Sequence, residues 1–454
     1  MNLSKRILFH EISDDSVLMI NALTGAMDIV TTDLYHALLD YRSLGQPHID
    51  EVTLERLERR GYIVKADAEK ELLRQITGAF EKATKRLSFV VCPTYACNLR
   101  CTYCFEGNLP RESHAYMGER DVDYVFTAID KLMQTYGDRN ASIELFGGEP
   151  LLPRTKGFVS KLFKEARHRS LQVGVVTNST HLDHFIDELN ANKDILRSVQ
   201  ITLDGPKDIH DQRRKFADDR GTFDEVCSSI SALLDLGIKV GVRANIDLQN
   251  IDSMPDLLDF MVKRDWVNNP YFSCNLSPVQ DHSLKKNYPY ILSEDKLVGK
   301  VLGMFKDNPH AKNTFSLNMF RNLGHIMSVL KRNTSIQPLL YYCEANNLEN
   351  LVFGPDGYIY ACTECMGSKE LAIGEFKPAL KLYDEAVKMW DGRNVLALDE
   401  CKKCDIALLC GGGCAYSALV VNGDINKPVC NRARETIFAY LDYVRDELAD
   451  MASA

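Results

Sequence analysis

The chain has 454 residues, 45% of them apolar, with a formal net charge of −9 and a pI near 5.7. That length leaves room for about three domains. The acidic balance argues against a nucleic-acid or anionic-membrane surface, and no apolar run approaches the roughly 18 residues of a membrane span.

In chain order, the first residues, MNLSKRILFHEISDD, interrupt a short apolar run with His and acids, so they do not read as a signal peptide. RILFHEI and SVLMIN read as short strands joined by a DD turn, and INALTGAMDIV as a third strand after a Gly turn. DLYHALLDYRSL and EVTLERLERRGYIV carry apolar residues three and four apart, the spacing of helices. Residues 1–75 therefore form a small cysteine-free unit, followed by a charged linker helix over 76–86. From 87 to 280 strands alternate with helices: LSFVVCP, ASIELFGG, QVGVVTN, SVQITLDG, KVGVRANI and PYFSCNLS are the strands. Six such βα repeats predict a parallel sheet of the α/β class, with function at the C-terminal ends of its strands. Residues 281–340 read as a helical connector with little chemical signal, and 341–454 hold eight of the fourteen cysteines.

Fourteen cysteines, most of them tightly clustered, argue for metal rather than disulfides in a chain without an export signal. Cys97, Cys101 and Cys104, in CNLRCTYC, have the spacing C-x3-C-x2-C. Three thiolates can each hold one iron of a 4Fe–4S cluster, which leaves the fourth iron open to a ligand. A zinc site would call for a second nearby pair with a C-x2-C rhythm. Cys92, at the end of the preceding strand, reads as a packed thiol, as do the singly spaced Cys227 and Cys274.

CNLRCTYC resembles the cluster loop of radical S-adenosylmethionine (SAM) enzymes. The resemblance implies a partial (β/α)6 barrel and a SAM molecule chelated at the open iron. Its one-electron cleavage yields a 5'-deoxyadenosyl radical. By the same resemblance Tyr103 packs near the adenine, and Gly147-Gly148-Glu149-Pro150 is the GGEP motif, whose backbone receives the SAM amino group while Glu149 supports the loop. Asn178, Thr202 and Asp204 end the third and fourth strands and join the cofactor contacts. Arg214 aligns with an arginine for the SAM carboxylate, with Arg213 beside it.

The C-terminal spacings Cys343-x13-Gly357-x4-Cys362, Cys401-x2-Cys404-x5-Cys410-x3-Cys414 and Cys430 resemble the SPASM domain of peptide-modifying radical SAM enzymes. That resemblance implies two auxiliary 4Fe–4S clusters, three in all. Cys401, Cys404, Cys410 and Cys430 would hold the second; Cys343, Cys362 and Cys414 the first. The fourth position of the first is either closed by Cys365 or open to a substrate thiolate. Residues 1–75 resemble a winged-helix-like recognition domain, which adds a precursor leader as a strand on a sheet edge.

Sulfatase maturases place a basic Asp directly after the cysteine matching Cys362; here that residue is Thr363. The pattern is closest to ranthipeptide and sactipeptide maturases, freyrasin-type ranthipeptide synthases among them. It implies thioether crosslinks in a leader-bearing peptide, an electron donor such as flavodoxin or ferredoxin, and an anaerobic cytoplasm. Carbon–carbon peptide crosslinking, sulfatase-maturase-like oxidation and a non-catalytic electron carrier are the other readings. A carrier would need neither GGEP nor Arg214.

Overall fold

In the computed structural model, which describes residues 2–44, 49–65, 67–108, 115–137, 140–282, 288–332 and 336–453, the N-terminal unit is built around one strand that is buried on both faces. Its elements are β1 (Asn2–Leu3), β2 (Ile7–Ser13), β3 (Ser16–Asn21), β4 (Met27–Thr31), α1 (Thr32–Leu44), α2 (Glu51–Arg59) and β5 (Ile63–Val64). The sheet β2–β3–β4 is antiparallel with β3 in the middle, and β1 pairs with β5. Side chains on a strand alternate between faces. On β3, Leu18 and Ile20 therefore join the main core, while Met19 packs with Leu38, Tyr41, Leu57 and Tyr62 in a smaller core.

This unit is not strung on a linker. The buried Arg6 donates to the carbonyls of Cys401, Lys402 and Cys404 at 3.4, 3.1 and 2.6 Å. The Ile336 N–H donates to Gly25 O at 3.2 Å, and His10 Nε2 lies 3.3 Å from Asp442. The helix expected over 76–86 is α3 (Ala68–Lys82), which begins earlier and lays Leu72, Leu73 and Ile76 on the main core.

The central sheet matches the expected repeats. Strands β6 (Ser88–Val91), β7 (Ser142–Leu145), β8 (Gln172–Thr177), β9 (Leu196–Thr202), β10 (Val240–Ile246) and β11 (Phe272–Pro278) lie side by side in chain order, all parallel. Between them run α4 (Glu119–Tyr136), α5 (Lys156–His168), α6 (Ile186–Ala191), α7 (Lys207–Arg213), α8 (Phe223–Asp235) and α9 (Met254–Lys263). α5 shows why the pattern is readable: Phe158, Val159, Leu162, Phe163 and Ala166 form one buried stripe at helical spacing.

The sheet departs from that expectation at both of its edges. The connector contains α10 (Glu294–Asp307), α11 (Pro309–Thr314), β12 (Phe315–Ser316) and α12 (Arg321–Arg332), and β12 extends the sheet beside β11. Its residues 283–287 and 333–335 lie outside the described residues. On the other side of β6, β13 (Asn350–Phe353) pairs in parallel, with Asn350 opposite Ser88. β14 (Tyr358–Tyr360), β15 (Gly374–Glu375) and β16 (Lys381–Leu382) then continue antiparallel, so the cysteine-rich C-terminal residues share one eleven-stranded sheet with the parallel repeats. Helices α13 (Asp384–Asp391), α14 (Ala407–Cys410), α15 (Ala415–Asn422), α16 (Ala433–Tyr443) and α17 (Arg445–Ser453) complete the chain, with α16 packed on α10 and α12. Among the described residues no helix is long and apolar enough to cross a membrane.

The connector also buries an acid. Glu294, the first residue of α10, is buried with no partner for Oε1. Burial pushes its carboxyl up to about 7, against the pull of a hydrogen bond from Asn322. An acid raised in the folded state keeps its proton there while the unfolded chain has lost it. Stability is therefore expected to fall as pH rises from 4.5 to about 7, by on the order of 3 kcal/mol at one pKa unit per 1.36 kcal/mol. Glu294→Gln should flatten that slope and raise stability at pH 8, as read by urea unfolding across pH.

Candidate active site

The C-terminal ends of the parallel strands carry the chemistry. After β6 comes the loop with Cys97, Cys101 and Cys104; after β7, Gly147 to Pro150; at the end of β8, Thr177 and Asn178; after β9, Asp204. The cysteine loop and the Gly147–Pro150 loop are pressed together. Gly148 N–H donates to Thr94 O at 3.2 Å and Glu149 N–H to Ala96 O at 2.9 Å. A Cβ on Gly147 would stand 2.2 Å from Cys92 Sγ, and one on Gly148 2.3 Å from Ala96 O. The close approach that needs glycine here is to the protein's own cysteine loop.

Glu149 ties the layers. Its Oε1 accepts from Leu151 N at 2.9 Å and Thr177 Oγ1 at 2.5 Å, and its Oε2 from Asn178 N at 2.6 Å. Burial pushes this carboxyl up, and those three donors act against the push. Asn178 Nδ2 in turn lies 3.8 Å from Cys97 Sγ and donates to Asn98 Oδ1 at 2.9 Å. Cys97 is pushed up by burial and then by the charges of Cys101, Glu149 and Cys104. The charges of Cys101 and Cys104 thus both reach Cys97. Cys92 is fully buried and donates to Thr94 O at 3.2 Å. Three soft thiolates, with Cys92 turned to Thr94 O, fit an iron–sulfur cluster with one open iron.

The expected polar residues divide into two kinds. Asp204 is fully buried: Oδ1 accepts from Asn245 N at 2.9 Å, while Oδ2 accepts the Tyr103 hydroxyl and lies 3.5 Å from Arg213 Nε. Arg213 Nη1 meets both Asp247 oxygens at 2.8 Å, and the guanidinium covers the Tyr103 ring at 4.8 Å. Asp204 and Arg213 are spent on the fold. Arg214 is different. Its Nη1 donates to the Tyr103 hydroxyl at 2.9 Å, its Nε has no partner, and no carboxylate pairs with it among the described residues. Burial pulls its pKa down, but the charges of Cys101, Tyr103 and Asp204 outweigh burial and hold it well above the ordinary guanidinium value. Thr202 is buried at the end of β9.

The C-terminal cysteines fall into two groups. Cys343 is raised by burial and, among charges that raise it, by Cys362 and Cys414; Cys362 is raised first by a hydrogen bond with the Cys365 thiol, then by burial and by the charges of Cys365 and Cys414. Cys401 is raised by burial and by Cys410, Cys404 and Cys430. The turn through Cys365, whose N–H donates to Cys362 O at 3.0 Å, brings a fourth thiol to the first group. Gly411, Gly412 and Gly413 all have φ between 76° and 87°, and a Cβ on Gly413 would stand 1.9 Å from Val429 O. Only glycine lets this loop pass beneath the segment leading to Cys430.

Several neighbours give no sequence signal, because they come from elements far apart in the chain. The connector's His282 faces Cys414: burial raises that thiol, but the hydrogen bond and charge of His282 and the hydrogen bonds of Ser417 outweigh it and hold it at about 7. Arg321 lies near Cys343. Tyr95 and Tyr360 both donate to Asp356 Oδ2, at 2.9 and 2.7 Å, and so link the cysteine loop to the β13–β14 turn.

Residues 91–261 match the model of the radical SAM superfamily. The cysteine-type anaerobic sulfatase-maturating enzyme of Clostridium novyi is 25% identical over 344 residues, 73% of this chain and 88% of that protein. Among solved structures, anSMEcpe with bound AdoMet superposes with a TM-score of 0.62 at 20% identity, covering 81% of this chain and 99% of its own. Streptococcus suis SuiB bound to S-adenosylmethionine gives 0.53 at 16% identity, covering 94% of this chain and 98% of its own; it has also been solved with precursor peptide SuiA.

The two arginines should separate by substitution. Arg213→Met strands the Asp204 and Asp247 carboxylates and is expected to destabilise the fold by about 3–5 kcal/mol. Arg214→Met should leave the melting temperature nearly unchanged and weaken SAM binding about tenfold or more, the worth of a charge-assisted contact. Thermal unfolding and equilibrium SAM binding check the pair. The strands covered by the radical SAM match, residues 91–261, are the ones that gather the thiol triad and the loops beneath it, and the chain is an enzyme that carries this radical SAM region.

Proposed function

We propose that this enzyme modifies a ribosomally made, leader-bearing peptide, joining a Cys sulfur of that peptide to one of its carbons as a thioether. The observation that carries the reading is the second thiol array: eight C-terminal cysteines in two groups, close to the parallel sheet that carries Cys97, Cys101 and Cys104. A bound SAM and its cluster supply a 5'-deoxyadenosyl radical, and auxiliary clusters supply a sink for the electron left over.

The chain's own residues bind and orient. Cys97, Cys101 and Cys104 hold the SAM-binding cluster. Arg214, whose Nε is free, takes the SAM carboxylate. Asn178 and the backbone at Gly147 and Gly148 border the amino group, and Thr202 the ribose. Asp204 acts through Tyr103 and Arg213, which it fixes in place. Cys401, Cys404, Cys410 and Cys430 hold one auxiliary cluster, and Cys343, Cys362 and Cys414 the other. The fully buried Cys365, its thiol against Cys362, supports a closed fourth position. With that position closed, the protein and not an iron would have to hold the peptide sulfur near its carbon.

The N-terminal unit supports a peptide substrate. β4 is one of the two end strands of its sheet, the other, β2, being packed by α16 and α17, and a leader can add beside β4 as a further strand. SuiB, solved with its precursor peptide, covers 94% of this chain, whereas anSMEcpe covers 81%. Thr363, where sulfatase maturases carry a basic Asp, speaks against sulfatase maturation. A flavodoxin- or ferredoxin-like carrier would supply electrons in the cytoplasm.

Coexpression with Cys-rich peptides from neighbouring small reading frames tests the reading by mass and alkylation. A thioether removes two hydrogens and blocks one Cys per crosslink. The same mass loss with every Cys still alkylatable overturns it in favour of carbon–carbon crosslinking. For the closed position, Cys365→Ala should lower the bound iron and change the first auxiliary cluster's paramagnetic resonance signal. Unchanged iron and signal would instead mean that the fourth position is open.

A further inference from the structure

Arg393 lies between α13 and the Cys401 loop and is fully buried. Its Nε donates to Ile425 O at 2.6 Å, and its Nη2 to Gly412 O at 3.0 Å and Lys427 O at 3.3 Å. All three acceptors are neutral carbonyls. Among the described residues no carboxylate pairs with it, and Nη1 is buried with no partner at all. Arg213, equally buried, has two aspartates. A guanidinium does not lose its proton in proteins, and an uncompensated buried charge is strongly destabilising. Negative charge must therefore come from something other than a side-chain carboxylate.

The groups that offer it are thiols. Burial pulls the Arg393 pKa down, and the charges acting against that pull are Cys414 and Cys343, then Cys401 and Cys410. The first two belong to one cysteine group and the last two to the other. Gly412, which Nη2 holds, sits midway between Cys410 and Cys414 in the chain, and a Cβ there would be 3.9 Å from Cys401 Sγ. The side chain is thus locked by three carbonyls among the cysteines of both groups, with one N–H left over. An iron–sulfur cluster with four thiolates is an anion that gains a further negative charge when it takes an electron, and hydrogen bonds and nearby charge set its potential.

We propose that Arg393 is the built-in counter-cation of the two auxiliary clusters, a positioning residue whose charge and free Nη1 N–H stabilise their electron-rich state. The inference rests on the auxiliary clusters of the proposed function and not on the thioether chemistry. By this role Arg393 raises both auxiliary potentials.

The test uses the full chain with Cys97, Cys101 and Cys104 changed to Ala, so that only auxiliary clusters remain, reconstituted with iron and sulfide. Iron content and a potentiometric titration monitored by paramagnetic resonance are read for Arg393, Arg393→Met and Arg393→Lys. Arg393→Met should retain iron and show a reduced-to-oxidised ratio at fixed potential lower by about tenfold, a shift of about 59 mV for one electron. Arg393→Lys should stay near the parent. Equal potentials in loaded Arg393→Met and the parent overturn the proposal. If Arg393→Met holds no iron, Arg393→Lys decides, because it keeps the charge and loses the three-carbonyl fork: a parent-like potential sustains the role, and a lowered one overturns it. A parent without auxiliary iron overturns the cluster assignment and the proposal together, whereas loaded clusters with unmoved potentials overturn the proposal alone.

Discussion

The parallel pairing of β13 with β6 is the constraint on which the rest depends. Parallel neighbours emerge at the same edge of a sheet, so the segments leaving the C-terminal ends of β6 and β13 must come out together. The first is the loop of Cys97, Cys101 and Cys104; the second is the turn that leads through β14 to Cys362. Asp356 fastens the two by accepting from Tyr95 and Tyr360. β14 then runs back antiparallel, with Tyr360 opposite Val352, so Cys362 follows toward the start of β13. β6 is short, but it is flanked on both sides and buried, which leaves it no freedom to slip.

Buried cations divide the remaining labour. Arg213 is neutralised by Asp204 and Asp247 and works as a brace under Tyr103. Arg214, Arg393 and Arg6 have no carboxylate among the described residues and meet hydroxyl or carbonyl oxygens instead. A guanidinium so held keeps its charge for whatever anion lies nearest. Around the thiol groups, that means clustered cysteines. The N-terminal unit enters this scheme through Arg6, which grips the Cys401–Cys404 loop. The N-terminal unit therefore touches the backbone that shapes one cysteine group, a contact between residues 395 to 398 positions apart in the chain.

The six parallel strands and most of their helices are legible in the sequence because burial imposes a period: two in a strand, 3.6 in a helix. β8, reading QVGVVT, and α5, reading KGFVSKLFKEARH, coincide with their patterns to within a residue or two. The cysteine triad is legible because its ligands are adjacent in the chain. The connector is not, for the opposite reason. His282 and Arg321 have no motif of their own and acquire meaning only beside Cys414 and Cys343. The paired glycines at 147 and 148 also make room for Cys92, Thr94, Tyr95 and Ala96 of the preceding loop, a fit that no spacing along the chain records.

By itself the sequence determined what is local: the order of β/α repeats, the thiol spacing, and the turns that only glycine can make at 411 to 413. These come from backbone sterics and from side chains a few residues apart, which the order of residues encodes directly. Only the tertiary structure decided which adjacent arginine is free, since that depends on Asp204 and Asp247 reaching Arg213 first. It also decided that the C-terminal cysteines join the central sheet and that Cys365 stands beside Cys362. Charge pairing and strand pairing act between residues brought together by the whole core, and no spacing along the chain records them.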